Sequence, residues 1–353
     1  MSKKTALITG ATGQDGSYMV DFLLDKGYSV HVLVRQSSSA DKTNWRIANH
    51  FRNDEDKHPN LEVHFGDLTD ANSLLSVINK IKPDELYNFA AQGSVAVSWK
   101  NPEYTANVNA LGPIRIMEIL KNLDLLNSTK MYQAATSEIF GVPKVSPQTE
   151  DLPVNPSNPY AVAKLYAMNM VGHYRERYGF FGCSAILYAH DSPRKDEMFV
   201  FKKITQSLVR IKHGLQETLY LGNLDAKKDW GYAPDYVEAI WLMLQQEKPD
   251  DYILATGQMH TLRDIITKSC DILGIDIEWE GEGKNEVGID RKTGKEIIKI
   301  SEKFFRPFDP NVDKDMALTG DISKAKKVLN WQPKTDFNGL IDIMITEGEK
   351  EIK

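Results

Sequence analysis

Residues 4–24 read KTALITGATGQDGSYMVDFLL, and this stretch determines the fold. A short apolar run ends at Gly10, the next residues carry Gly13 and Gly16, and an amphipathic run follows. Glycine adopts the positive φ that such a turn needs and lets the backbone approach a phosphate closely, and the following helix points its first N–H groups at that phosphate. The alternative is an ordinary strand–helix turn that uses glycine for geometry alone. Because a second strand is predicted at Tyr28–Val34, we favour dinucleotide binding.

Composition excludes several classes of protein. The chain has 353 residues, more than one typical domain, and its net charge of -6 gives no attraction to nucleic acid or to an anionic membrane. Two cysteines, Cys183 and Cys270, make neither a disulfide framework nor a metal-ligand cluster, so no metal is expected. No apolar run approaches ~18 residues, and the N-terminal run is too short for a signal peptide. We expect a cytoplasmic protein without nucleic-acid or membrane partners.

Strands and helices alternate along the first half of the chain. Strands are predicted at Leu61–Phe65, Glu85–Phe89 and Met131–Ala135, and helices at 71–81 and about 101–123. This alternation is typical of an α/β fold with a doubly wound parallel sheet.

Arg35 stands at the end of the second strand. Folds that bind NAD usually place an acid there, whereas an arginine can hold the 2′-phosphate of NADP. Arg35 and the serines that follow it therefore favour NADP, the alternative being a solvated loop charge. Asp67 and Leu68, at the next strand end, suit an adenine edge, and Ala90–Gly93 let a flat ring lie against the backbone. The long polar connection at 36–60 is expected to be functional or to lie at an interface.

Four side chains carry the predicted chemistry. Tyr160 and Lys164 share one helix face, and a nearby cation favours tyrosinate, since the ordinary pKa of tyrosine is ~10. Such a tyrosine can accept a proton while a sugar alcohol is oxidised. Thr136 can polarise a substrate oxygen, and Glu138 can remove a carbon-bound proton and then protonate a leaving hydroxyl. Oxidation, elimination of water and return of the hydride are predicted. The alternative for Tyr160 and Lys164 is a pair on an exposed helix surface without a catalytic role. The alternative for Glu138 is a carboxylate that only caps the next turn.

Several motifs together resemble one family. They are TGATGQDGSY (9–18), GDLTD (66–70), FAAQ (89–92), TSEIFG (136–141), NPYAVAKLYA (158–167), LYLGNLDAKKDWG (219–231) and DYVEAIWLMLQQ (235–246). Over about residues 4–345 the chain resembles the GDP-mannose 4,6-dehydratases, which are extended short-chain dehydrogenase/reductases with a Rossmann fold. The resemblance implies a lyase that oxidises C4 of GDP-mannose, eliminates water across C5–C6 and returns the hydride to C6, with tightly bound NADP recycled within the reaction.

The resemblance also implies roles for individual residues. Thr136 polarises the C4 oxygen, Glu138 is the acid/base at C5 and C6, Tyr160 is the base at O4, and Lys164 supports Tyr160 and the cofactor. The expected cofactor residues are Gly10, Thr12, Gly13, Gln14, Asp15, Gly16, Arg35, Asp67, Leu68, Phe89, Ala90, Ala91, Gln92, Gly93, Tyr104, Lys164, His190 and Lys195. The expected substrate residues are Ser94, Ser137, Ala189, Val200, Lys203, Gly222, Asn223, Lys228 and Arg306.

Departures from the family pattern concentrate around the expected substrate. Gly93 and Ser94 replace a serine and a histidine, Ala189 replaces an asparagine, and Lys228 replaces an arginine. An arginine and a lysine do not bind a phosphate equivalently. Either these changes are neutral, or the sugar differs and is a heptose or an N-acetylhexosamine, as in GDP-manno-heptose or GDP-GlcNAc. The chain could also be a nucleotide-sugar C4 epimerase or dehydrogenase, which needs Tyr160 but not Glu138, or a non-catalytic dinucleotide-binding protein.

The chain is expected to divide into two discontinuous domains. A cofactor domain comprises residues 1–180 and about 231–258, and a smaller mixed α/β substrate domain comprises 181–230 and about 259–345. Residues 280–300 are rich in glycine and charge and are expected to form a hairpin or an insertion. By resemblance, the protein is expected to be a homodimer or homotetramer.

Overall fold

The computed structural model describes residues 3–35, 46–47, 58–305 and 318–352. The strands are β1 (Thr5–Thr9), β2 (Ser29–Val34), β3 (Leu61–Phe65), β4 (Glu85–Asn88), β5 (Lys130–Ala134), β6 (Gly182–Leu187), β7 (Ala189–Asp191), β8 (Leu219–Leu221), β9 (Lys227–Tyr232), β10 (Tyr252–Leu254), β11 (Met259–Thr261), β12 (Ile277–Glu280), β13 (Val287–Asp290) and β14 (Lys295–Ile300). The α-helices are α1 (Gln14–Asp25), α2 (Ala71–Ile81), α3 (Val95–Lys100), α4 (Pro102–Ala106), α5 (Gly112–Asn122), α6 (Pro159–Tyr178), α7 (Val200–Lys212), α8 (Ala233–Gln245), α9 (Leu262–Leu273), α10 (Ser323–Leu329) and α11 (Phe337–Ile352).

Seven strands form one parallel sheet in the order β10-β6-β5-β4-β1-β2-β3. Alternate residues of β1 enter different clusters. Ala6 and Ile8 pack with residues of α1 and α8, while Leu7 packs with residues of α2 and α5. Because apolar layers cover both faces, the central strands are buried throughout. This arrangement confirms the predicted doubly wound α/β fold.

Local signals set several element boundaries where the sequence predicted them. β3 and α2 occupy the predicted residues. Asp70 caps α2 by accepting a hydrogen bond from the N–H of Asn72, and Lys82 ends the helix in the left-handed conformation at φ 46°. Pro83 follows, and a proline restricts the residue before it from the helical region.

The predicted helix at 101–123 is interrupted. α4 passes into a π-helical segment, Asn107–Leu111, before α5 begins. Pro113 lacks the N–H that would continue the α-helical ladder, which accounts for the break. Asn109 of this segment is buried. Its side-chain amide exchanges two hydrogen bonds with the backbone of Gln92, in the loop that follows β4. Helix α3, just before, was not predicted from the sequence.

Two smaller sheets stand beside the large one. β7, β9 and β11 form one, and β12, β13, β14 and β8 form the other. β13 and β14 are antiparallel neighbours, so the hairpin expected within 280–300 is confirmed, and β14 pairs in parallel with β8.

The C-terminal residues contribute to two different cores. The predicted helix at Asp321–Trp331 is present as α10, and its Ala325 and Leu329 pack with the strands of the large sheet. α11 follows it, and Leu340 and Met344 pack with residues of α7 and α9. None of the helices described for this chain is both long and apolar enough to span a membrane.

Candidate functional site

A cavity of about 870 Å³ lies at the carboxyl edge of the large sheet. We call the part formed by residues 10–16, 89–97 and 134–138 the sheet-edge wall, because these residues follow β1, β4 and β5. The part formed by residues 194–201 and 227–230 is the outer wall. Open α/β sheets bind ligands at this edge, where the loops after parallel strands converge.

The glycine turn is closed too tightly to accept other side chains. Gly10 has φ +71°, and a Cβ built there would lie 2.6 Å from the backbone nitrogen of Ala90. A Cβ at Gly16 would lie 2.2 Å from the carbonyl oxygen of Gly10. Gly13 donates a backbone hydrogen bond of 2.9 Å to the same oxygen. The spacing of the glycines therefore reflects a steric requirement, and α1 begins directly behind the turn.

Asp15 is paired with a residue far along the chain. Its Oδ2 lies 2.9 Å from Nε2 of His190, whose Nδ1 lies 2.7 Å from the carbonyl oxygen of Tyr188. Both ring nitrogens of His190 therefore face oxygen atoms, one of a carboxylate and one of a backbone carbonyl. Burial alone would raise the pKa of Asp15, but His190 and Lys195 outweigh it and hold that pKa well below its usual range. The turn thus carries a stable carboxylate.

The segment after β7 is tied onto the glycine turn. Ser192 donates a 2.8 Å hydrogen bond to the side-chain oxygen of Gln14, and Arg194 forms a 2.6 Å ion pair with Asp21 of α1. Arg46 donates to the carbonyl oxygens of Arg194 (2.6 Å) and Thr12 (3.0 Å). Arg46 and Arg194 were not among the predicted site residues, since nothing local in the chain shows that these segments meet.

Tyr160 and Lys164 lie on α6 and face the cavity, as the spacing predicted. Lys164 is buried and donates a 2.9 Å hydrogen bond to the carbonyl oxygen of Ala134. Burial lowers the pKa of Lys164 to about 8. Burial, opposed by a hydrogen bond with Thr136 and assisted by the charge of Glu138, raises the pKa of Tyr160 to about 12. Tyr160 therefore needs a further positive charge close to its hydroxyl before it can act as a base near neutral pH.

Thr136 and Glu138 lie in a short 3-10 turn after β5. The hydroxyl of Thr136 caps the turn by accepting a 3.3 Å hydrogen bond from the N–H of Glu138. The carboxylate of Glu138 is half-buried and accepts a 3.2 Å hydrogen bond from the amide of Asn158. Asn158 was not among the residues predicted from the sequence. Its position one residue before Pro159 is a signal for a helix cap, but nothing local signals its contact with Glu138.

Residues 92–94 form another part of the sheet-edge wall. Gln92 exchanges two hydrogen bonds with the side chain of Asn109, of 2.8 and 3.0 Å. A Cβ at Gly93 would meet nothing within 4 Å, so glycine leaves open space in the wall. Ser94 caps α3 through a 3.3 Å hydrogen bond from the N–H of Val97.

Most of the predicted site residues line this one cavity. They are Gly10, Gly13, Gln14, Asp15, Gly16, Phe89, Ala91, Gln92, Gly93, Ser94, Thr136, Ser137, Glu138, Tyr160, Lys164, Ala189, His190, Lys195, Val200 and Lys228.

The other predicted cofactor residues lie outside the cavity lining. They are Thr12, Arg35, Asp67, Leu68, Ala90 and Tyr104. Arg35 donates a 3.1 Å hydrogen bond to the hydroxyl of Tyr104, so these two meet at the end of β2. Oδ1 of Asp67 accepts hydrogen bonds from the N–H and hydroxyl of Thr69, and Leu68 is buried.

Three predicted substrate residues are likewise outside the lining. Lys203 donates a 2.7 Å hydrogen bond to the carbonyl oxygen of Tyr220, and Asn223 accepts one from the N–H of Asp225. A Cβ at Gly222 would lie 2.4 Å from the carbonyl oxygen of Phe304, so that glycine permits a close backbone approach. The remaining prediction, Arg306, falls outside the described residues.

Comparison with known proteins identifies the family. The family model described as GDP-mannose 4,6 dehydratase matches residues 7–344. The chain belongs to the GDP-mannose 4,6-dehydratase family. Family members named GDP-mannose 4,6 dehydratase include those of Cricetulus griseus, 45% identical over 97% of this chain and 91% of the relative, and Homo sapiens, with the same identity and coverage. The GDP-mannose 4,6-dehydratase of Vibrio cholerae is 44% identical over 99% of this chain and 94% of its own length.

Solved structures of more distant proteins share the fold of this family member. The UDP-glucose 4-epimerase of Thermotoga maritima superposes with a TM-score of 0.77, at 22% identity over 99% of this chain and 100% of its own. The dTDP-glucose 4,6-dehydratase of Bacillus anthracis gives a TM-score of 0.77, at 18% identity over 98% and 97% of the two chains. These likenesses show the fold.

Proposed function

We propose that this chain catalyses the NADP-dependent 4,6-dehydration of GDP-mannose to GDP-4-keto-6-deoxymannose. The observation that carries the proposal is the placement of Thr136, Glu138, Tyr160 and Lys164 in one cavity with the glycine turn, in a chain of this family. The relatives named for this reaction align over nearly the whole chain. A hydro-lyase of this kind uses both an alcohol-oxidising base and a carbon acid/base, and the cavity offers both.

The sheet-edge wall fits a nicotinamide dinucleotide. The glycine turn presents backbone at Gly10 and Gly16, where a Cβ would clash, and no described side chain caps α1 at Gly13. The first N–H groups of α1 are therefore available to a pyrophosphate, which the positive end of the helix dipole also favours. Arg35 and Tyr104, which meet at the end of β2, would hold the 2′-phosphate of NADP. When bound, the cofactor supplies the acceptor and the source of the transferred hydride.

Tyr160 takes the proton of the C4 hydroxyl during oxidation. Burial raises the pKa of Tyr160 to about 12, against the lowering effect of the hydrogen bond with Thr136, so ionisation near neutral pH requires a further positive charge. Lys164 is anchored through Ala134, with Nζ 5.9 Å from the centroid of the Tyr160 ring. A positive charge in this position stabilises tyrosinate, and the charge of an oxidised nicotinamide would add to it. Thr136, which forms a hydrogen bond with Tyr160, polarises the C4 oxygen.

Glu138 carries out the elimination. Oxidation at C4 acidifies the C5 proton, because the resulting carbanion is conjugated with the C4 carbonyl. Glu138 accepts that proton as the C5–H bond breaks, and then donates it to the C6 hydroxyl, which leaves as water. The hydride taken from C4 arrives at C6, and C5 regains a proton equivalent to the one that O4 gave to Tyr160. One water molecule is released, C4 ends as a ketone and C6 as a methyl group, with no net oxidation.

The contacts between the segment after β7 and the glycine turn support retention of the cofactor through the cycle. Ser192 and Arg194 tie the outer wall to Gln14 and α1, and Arg46 joins both. These contacts hold the loop after β7 against the turn that would bind the pyrophosphate. We infer that NADP is tightly held and is reused without leaving the protein.

The test is a direct assay. The protein is incubated with GDP-mannose and NADP, and loss of water from the sugar is followed by mass spectrometry. Tyr160→Phe should abolish product formation, while Tyr178→Phe, an exposed tyrosine of the same helix, should not change it. Failure of the unaltered protein to release water from any GDP-sugar would overturn the proposal.

A second candidate substrate is a bulkier GDP-sugar. The open space at Gly93 leaves room in the cavity wall beside Ser94. GDP-manno-heptose and GDP-GlcNAc should therefore be assayed beside GDP-mannose. A higher kcat/KM for either would reassign the sugar but retain the reaction, whereas C4 epimerisation without water loss would indicate an epimerase.

We also propose that the protein is a homodimer or homotetramer. The outer side of α6 exposes Val162 (53%) and Tyr166 (44%), and the adjoining helical segments expose Trp99 (64%) and Leu111 (44%). Large apolar side chains grouped on neighbouring helices are typical of an interface. Sedimentation equilibrium checks the proposal, and a monomer at micromolar concentration would contradict it.

A further inference from the structure

Asn158 joins the two catalytic segments of the proposed dehydratase. Its side chain is buried at the N-terminus of α6, two residues before Tyr160. Oδ1 accepts a 2.8 Å hydrogen bond from the N–H of Ala161 and so caps the helix. Nδ2 donates a 3.2 Å hydrogen bond to Oε2 of Glu138, in the turn after β5. One side chain therefore contacts both the helix of the base and the proposed acid/base.

The helix cap fixes the orientation of this amide. The N–H of Ala161 requires an acceptor, so the amide oxygen must face the helix and the amide nitrogen must face Glu138. The amide of Asn158 is a neutral donor, and its acceptor is a carboxylate. Hydrogen bonds to charged groups are stronger than those between neutral groups. The contact is thus directional, with the amide nitrogen as the donor and Oε2 of Glu138 as the acceptor.

The backbone on either side of the contact is also held in place. The N–H of Asn155 donates a 2.9 Å hydrogen bond to the carbonyl oxygen of Ile139, within the turn of Glu138. Gly141 ends that turn at φ +61°, and a Cβ there would lie 2.1 Å from the carbonyl oxygen of Asn155. The two segments approach so closely that only glycine fits between them. Asn158 therefore meets Glu138 from a fixed position.

Asparagine can accept the capping hydrogen bond and donate a second hydrogen bond from a different atom of the same side chain. Serine, threonine, aspartate and asparagine can all accept the capping hydrogen bond. Asparagine alone among them has an amide donor on a different atom from its acceptor. Aspartate has the same shape but would place a second negative charge against Glu138. Serine would keep the cap but is too short to extend an amide toward the carboxylate.

We propose that Asn158 is a positioning residue for elimination, acting through Glu138. It restrains Oε2, so that the second carboxylate oxygen is presented to the C5 proton, and it couples the position of Glu138 to the helix that carries Tyr160. The inference rests on the proposed dehydration. Its specific consequence is that loss of the amide donor impairs proton transfer at C5 more than oxidation at C4.

The test compares Asn158→Asp and Asn158→Ser with the unaltered protein and with Asp70→Ser, a cap exchange on α2 that retains a capping hydroxyl. Single-turnover reactions with GDP-mannose are followed by nicotinamide absorbance, which reports oxidation, and by mass spectrometry of quenched samples, which reports water loss. Both Asn158 variants should lose water about 10-fold more slowly, the typical effect of removing a hydrogen bond to a charged group. Reduced nicotinamide should accumulate during the turnover, because oxidation continues while elimination is slowed.

The pH profile supplies a second readout. In Asn158→Asp, the acidic limb of the elimination rate should move to higher pH, since a neighbouring carboxylate disfavours the ionised form of Glu138. Water loss at the unaltered rate in both variants would overturn the inference, as would equal slowing of oxidation and elimination without accumulation of reduced nicotinamide. If the unaltered protein releases no water from any GDP-sugar, the proposed function itself fails. That outcome is separate from the behaviour of the variants.

Discussion

The two walls of the cavity are built in different ways. The sheet-edge wall includes three glycines of the turn, Gly10, Gly13 and Gly16, which contribute backbone and no side chain. The outer wall is assembled from residues 194–201 and 227–230 and presents side chains such as Lys195, Phe201 and Lys228. A backbone surface tolerates almost no substitution, whereas a surface of side chains can be altered residue by residue. The proposed cofactor site is therefore expected to be more constrained than the proposed sugar site.

The largest expected effect lies where the proposed cofactor and sugar sites meet. Glu138→Gln removes the proton carrier while preserving the size of the side chain, so water loss should fall about 1,000-fold. Oxidation at C4 should persist, because Tyr160 and Lys164 are unchanged, and reduced nicotinamide should accumulate. Quenched-flow mass spectrometry measures the water loss, with Glu176→Gln, an exposed residue of α6, as the control. Normal turnover by Glu138→Gln would assign the acid/base role elsewhere.

Two glycines test the difference between a backbone contact and an open wall. Gly16→Ala would place a Cβ 2.2 Å from the carbonyl oxygen of Gly10, so the free energy of unfolding should fall by about 3 kcal/mol. Gly93→Ala meets nothing within 4 Å and should change stability by less than about 0.5 kcal/mol. Chemical denaturation of both variants measures the contrast. Equal effects would show that the glycine turn is not sterically closed.

The buried lysine should make stability depend on pH. Burial lowers the pKa of Lys164 from 10.5 to about 8 in the folded protein, so between these values the unfolded chain binds more protons. The contribution of Lys164 to stability must then rise with pH across that window, and it should be constant well below pH 8. Relative to Lys164→Met, the free energy of unfolding of the unaltered protein should rise by about 2–3 kcal/mol as the pH increases from about 8 to 10.5. Urea denaturation at several pH values checks this, and a constant difference between the two proteins would contradict it.

The smallest expected effect concerns Arg35, at the end of β2, where the 2′-phosphate of NADP is proposed to bind. Arg35→Ala should weaken NADP binding roughly 10-fold to 100-fold, the typical loss for a hydrogen-bonded charge, because the guanidinium would contact the 2′-phosphate. Binding of NAD, which lacks that phosphate, should change by less than about 2-fold. Isothermal titration of the cofactor-stripped protein with each dinucleotide distinguishes them. An equal loss for both would remove the basis for preferring NADP.

The parts of the molecule that were predictable are those with local signals. The glycine spacing identified the turn, and the alternation of apolar runs identified the sheet, because both depend on residues close in sequence. Thr136 and Glu138 follow β5 at the carboxyl edge of the sheet, and Tyr160 and Lys164 face the same cavity from α6, as the spacing of four predicted.

The unpredicted parts depend on contacts between distant residues. Asp15 pairs with His190 across 175 positions, and Arg46 contacts Arg194 across 148. The contact of Asn158 with Glu138 appears only once the turn after β5 packs on α6. The π-helical segment arises from Pro113 together with the contact of Asn109 to Gln92, so helical periodicity alone could not locate it.

The proposed mechanism depends above all on the return of the hydride from C4 to C6 of the same sugar. The most direct measurement uses GDP-mannose labelled with deuterium at C4 and mass spectrometry of the product. We expect the deuterium to be retained and to lie in the C6 methyl group, because the cofactor remains in the cavity throughout the cycle. Product without deuterium, with the label recovered in free NADPH, would contradict the mechanism.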